Sequence, residues 1–74
     1  MFIKLRVSYS DKRDQDLETH MVNVSNIAYY SRNWKHQNNK DYYWTDVHLV
    51  SGITLQVANT VEEINKVITN EKQY

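Results

Sequence analysis

YYWTDVHLVSGITLQVANTVEEINKVI, residues 42–68, changes its period twice, and those changes decide the fold. From Tyr42 to Val50 the side chains alternate. Tyr43, Thr45, Val47 and Leu49 share one face of an extended segment, and Tyr42, Trp44, Asp46 and His48 share the other. Ser51-Gly52 then supplies the positive φ that a tight hairpin turn needs. Ile53, Leu55 and Val57 alternate again as a second strand. After Asn59 the spacing becomes helical. Thr60 and Glu63 form a capping box, and Val61, Ile64, Val67 and Ile68 make one apolar stripe. A hairpin followed by a capped amphipathic helix predicts a sheet with a helical cover.

Working towards the N-terminus, the same period of two returns. Ile3, Leu5, Val7 and Tyr9 alternate with Lys4, Arg6 and Ser8, which predicts a half-buried strand. Residues 10–16 are polar and charged and read as a loop; Asp11, Asp14, Asp16 and Glu18 lack the glycine and spacing of a calcium loop. A further strand covers Glu18 to Val24, with His20, Val22 and Val24 on one face, and Ser25-Asn26 marks a short turn. Ile27 to Asn33 is rich in β-forming residues. Residues 35–41 contain no apolar side chain and are expected to form a loop, and residues 70–74 are expected to fray. The expected fold class is α+β: a small antiparallel β-meander of four to five strands with one C-terminal helix packed on one face. Residues 1–74 are expected to form a single domain.

Composition narrows the function. A chain of 74 residues buries only about 60% of its unfolded surface, so self-association would help it. Nine Lys+Arg balance nine Asp+Glu, which weighs against nucleic acid as the partner. The absence of cysteine excludes a thiol nucleophile or thiolate zinc site and suits a reducing, cytoplasmic setting. One glycine cannot build a glycine-rich phosphate loop. No apolar run is long enough for a bilayer, and no leader is apparent. No cofactor is expected.

Val22-Asn23 with Ile27, then Thr45-x-Val47-x-Leu49-x-Ser51-Gly52-x-x-Leu55-x-Val57, then Thr60-Val61-Glu62-Glu63-Ile64 with Val67 and Ile68, resembles the FlbD family of small flagellar-operon proteins. The resemblance spans residues 22–68 and departs at the insert from Ser31 to Tyr43. It brings no catalytic motif, and it implies a small β-rich accessory or interaction protein.

The insert and its flanks carry the functional expectation. Residues 29–44, YYSRNWKHQNNKDYYW, hold six of the nine aromatics, together with Arg32, Lys35, His36 and Lys40, against one acid, Asp41. Rigid rings beside cations are the chemistry of recognition surfaces. Tyr30, Arg32, Trp34, Lys35, His36, Lys40, Tyr42 and Trp44 are therefore the expected binding residues, with Trp34 beside the polar loop. The leading expectation is a non-enzymatic protein that self-associates, with a dimer favoured, and binds a protein partner. A phage or mobile-element accessory protein blocking a host factor fits that style. The alternative is a sequestering protein for a small anionic ligand such as a nucleotide. There Arg32, Lys35 or Lys40 would meet phosphate, and Trp34 or Trp44 would stack a base. Asp46 and His48 share a strand face, and His20 would have to join them for a metal site; none is expected.

Overall fold

The computed structural model of the protein describes residues 1–7 and 18–72, with side chains to residue 69. Five strands form one sheet: β1 (Phe2–Val7), β2 (Glu18–Asn23), β3 (Ile27–Gln37), β4 (Lys40–Leu49) and β5 (Thr54–Val57). One helix, α1 (Val61–Lys72), closes the chain. The strand order is β2-β1-β5-β4-β3, with every pairing antiparallel. The meander β3–β4–β5 thus meets the β1–β2 hairpin where Val7 pairs with Val57. The expected fold class is the observed one. The expected charged loop at 10–16 and the side chain of Tyr9 lie outside the described residues.

Alternation places the core. Ile3, Leu5 and Val7 from β1, Val22 from β2, Val47 from β4 and Val57 from β5 are buried on one face under Ile64 of α1. Thr45 is buried there too, and its hydroxyl donates to the Asn59 carbonyl at 2.6 Å, which satisfies a polar group that burial would otherwise penalise. The helix starts where the capping box predicts. The Glu63 amide donates to Thr60 Oγ1 at 3.0 Å, and the Thr60 amide donates to Glu63 Oε1 at 3.3 Å. Val67, expected in the apolar stripe, is 44% exposed instead, because it lies at the flank of the stripe whose centre is Ile64 and Ile68, both packed on the core. The helix also continues to Lys72, past the expected fraying point at Asn70.

Local turns follow side-chain chemistry. Asn23 Oδ1 accepts from the Ser25 amide at 3.2 Å and so starts the 3₁₀ turn Val24–Asn26. In β3 the register shifts between Ile27 and Tyr29, leaving Ala28 as an extra residue. That bulge puts Ile27 and Tyr30, three apart, on the same helix-covered face, where both pack on the core.

The polar stretch 35–41 overturns one expectation. Only Asn38 and Asn39 form a turn there, and β3 and β4 run to either side of it. Both asparagines have positive φ, 54° and 61°. A two-residue hairpin loop with two left-handed residues matches the twist of its strands, and asparagine tolerates that conformation better than most residues. Lys35, His36, Lys40 and Asp41 are therefore strand residues with solvated side chains. Strand four accordingly begins at Lys40 rather than Tyr42, and Trp34 stands within a strand, opposite Tyr43.

Candidate functional site

β5 pairs with β4 only over Thr45–His48. Lys40–Trp44 and their partners Asn33–Gln37 therefore extend past the sheet as a two-stranded arm. At about 3.4 Å per residue its length is roughly 17 Å. This accounts for much of the molecule's elongation, 45 × 23 × 21 Å.

The period of two sorts the expected site residues onto two faces. Arg32, Trp34 and His36 share the helix side of the sheet with Tyr43 and Asp41. Trp34 is directly opposite Tyr43, and the Arg32 guanidinium lies 4.7 Å from the Tyr43 ring centroid. His36 Nδ1 sits 2.7 Å from Asp41 Oδ1. The result is a ladder of cation, ring, ring and hydrogen-bonded His–Asp pair along one face. Trp34 and Tyr43 are 58% and 56% exposed, so the ladder is built mostly outside the core. An exposed cation–π contact of this kind stabilises by about 0.5–1 kcal/mol.

Lys35, Lys40, Tyr42 and Trp44 occupy the other face. Lys35 Nζ stands 5.9 Å from the Tyr42 ring centroid. Trp44 is half-buried, and its indole N–H donates to Asp46 Oδ1 at 2.8 Å. Asn33 Nδ2 donates to Asp46 Oδ2 at 3.0 Å, so one carboxylate fastens the root of the arm. Farther along this face Tyr29 stacks on His48, with centroids 4.1 Å apart.

Tyr30 is the expected site residue that lies apart. It packs on the core, and its hydroxyl donates to Asn65 Oδ1 of α1. Its role here is to tie the helix to β3. Tyr43, absent from the expected set, is central to the ladder. Its face is legible from the alternation with Thr45, Val47 and Leu49, whereas the point at which the helical cover ends is not.

A cleft of about 280 Å³ opens at the root of the arm. Arg32, Tyr43 and Trp44 line one side, and Asn59, Thr60 and Glu62 are among the residues of the other. The capping box already occupies the helix N-terminus above it. The conceivable metal set is divided by the sheet. His20 pairs with Leu5 and shares its helix-covered face, whereas Asp46 and His48 lie on the opposite face. Among the described residues no group of three or more His, Asp or Glu is placed to hold a metal ion, and no helix is long and apolar enough to cross a membrane. Comparison with protein-family models, curated proteins and solved structures finds no match for this chain.

Proposed function

We propose that this chain is a non-enzymatic binding protein whose β3–β4 arm recognises a protein partner. The observation that carries the reading is the exposed Arg32–Tyr43–Trp34 ladder, at the root of and along a ribbon that gives no side chain to the buried core. Tyr, Trp and Arg dominate the energetics of protein interfaces because they bury large rigid surface and form directed polar contacts. Self-association belongs to the same proposal. The uncovered sheet face, where Phe2, Met21 and Tyr29 stand exposed, is the surface offered to a second copy. A reducing interior is the compartment proposed, on the absence of cysteine.

The test is the double substitution Arg32→Ala with Trp34→Ala. The variant is expected to keep its fold, with a small drop in Tm, and to lose the partner recovered by the wild-type chain from its native host. A variant that unfolds would place these residues in the core. One that still binds every recovered partner would place recognition elsewhere.

A second reading rests on the cleft at the arm's root, where Arg32 and the Tyr43 ring could hold a small anionic ligand such as a nucleotide, the Trp44 indole lying on the opposite face of β4. Glu62 on the same wall opposes an anion. A thermal-shift screen against nucleotides separates the two readings, since a ligand at 100 times its Kd stabilises by about 2.7 kcal/mol.

A further inference from the structure

β3 is a terminal strand of the sheet and, at 11 residues, much longer than the six of β2 at the opposite edge. Its outer side can be read from the ladder. In antiparallel pairs, residues bonded to the neighbouring strand alternate with residues whose N–H and C=O point away from it. The two-residue turn makes Gln37 and Lys40 a bonded pair, so Lys35–Tyr42 and Asn33–Trp44 are bonded as well. The main-chain groups of Arg32, Trp34 and His36 are then the outward ones. An independent contact agrees with this: the Trp34 amide donates to the Asn33 side chain, Oδ1 at 2.8 Å.

Charge along this edge is one-sided. β3 carries Arg32, Lys35 and His36 and no carboxylate. Among the described residues the β4 acids are engaged, Asp41 by His36 and Asp46 by Trp44 and Asn33, and Glu62 of α1 lines the cleft with Arg32 at the root of the arm. Pairing this edge with a second copy of itself would gather two Arg32 and two Lys35 with no carboxylate on either β3.

We infer that the outer edge of β3 takes up an extended, acidic segment of a protein partner as a sixth strand. This rests on the arm being the recognition element. The main-chain groups of Arg32, Trp34 and His36 supply the ladder, and Arg32 and Lys35, one on each face, select carboxylates along the added strand. Asn33 holds the Trp34 amide until the incoming carbonyl replaces its side chain.

The probe is a capped synthetic peptide of about eight residues repeating Glu-Glu-Val-Val, which puts carboxylates on both faces of an added strand, paired with a control carrying lysine for glutamate. Amide hydrogen exchange followed by NMR on the full chain is the readout. The glutamate peptide is expected to slow the Arg32, Trp34 and His36 amides about tenfold or more, leaving Asn33 and Lys35 little changed. The lysine peptide is expected to leave all of them unchanged. Lys35→Glu alone is expected to weaken the preference for the glutamate peptide, and Arg32→Glu with Lys35→Glu to reverse it, while Tm confirms folding. Asn33→Ala is expected to tighten glutamate-peptide binding by about two- to tenfold, the equivalent of one ordinary hydrogen bond. Failure of both peptides to protect the outward amides overturns the inference. So does binding that leaves those amides unprotected, or concentration-dependent protection in the free protein, which would seat a second copy there. A host partner that is lost with Arg32→Ala and Trp34→Ala, yet leaves the outward amides unprotected, removes strand addition alone. A partner indifferent to that variant removes the recognition reading itself.

Discussion

Asn38 and Asn39 show how much two residues decide. An L-residue in the left-handed region costs about 1–2 kcal/mol, and asparagine reduces that cost through local hydrogen bonding. Their positive φ angles turn a stretch with no apolar side chain into the tip of a hairpin. Asn39→Ala should therefore loosen the arm by about 1 kcal/mol, making the Lys35 and Tyr42 amides exchange about fivefold faster. Asn39→Gly should slow them, since glycine reaches that conformation freely. If neither substitution changes exchange in the arm, the turn conformation does not control its stability. Tyr30 offers a contrasting test. Its hydroxyl bonds Asn65, so Tyr30→Phe should cost about 1 kcal/mol in denaturant unfolding and leave partner binding intact. Lost binding at unchanged stability would return Tyr30 to the site.

At the scale of elements, α1 and the arm should respond in opposite ways. Ile64 is 2% exposed beneath the helix, and truncating it to alanine should cost about 2–4 kcal/mol by leaving a cavity. Thr60→Ala should cost about 1 kcal/mol through the lost cap. Val67→Ala, on the exposed side of the same helix, should stay within about 0.5 kcal/mol. Urea midpoints for the three variants check this ranking; equal midpoints would mean that α1 is not docked as described. In the arm, Trp34→Ala alone should shift the midpoint little, because the ring is 58% exposed. A loss approaching the Ile64 variant would show that the arm is integral to the cooperative fold.

The whole molecule joins a small core to an arm that protrudes from it. Seven buried apolar side chains among the described residues form that core, a modest store for a chain of this size. The open face leaves Phe2, Met21 and Tyr29 uncovered. Burying that face between copies would remove its apolar side chains from water, and two-fold closure is the commonest arrangement. Sedimentation at micromolar concentration is expected to show a species heavier than the 8.9 kDa chain, and a purely monomeric profile would reject self-association.

Sequence by itself determined the elements whose signals are local. Alternation at Ile3–Val7 and Thr45–Leu49, the Ser51-Gly52 turn, and the Thr60–Glu63 capping box each rest on contacts between residues near in the chain. The aromatic and basic composition of residues 29–44 was equally plain. Tertiary structure decided the rest. Strand order depends on β1 meeting β5 across the chain, which no local period encodes. Arg32 and Lys35 stand on opposite faces because their stretch is strand rather than loop, and Asn38-Asn39 was the available signal for that. Tyr43 obeys its period yet lies in solvent, because periodicity fixes a side chain's direction and only the finite extent of the opposing layer fixes its burial.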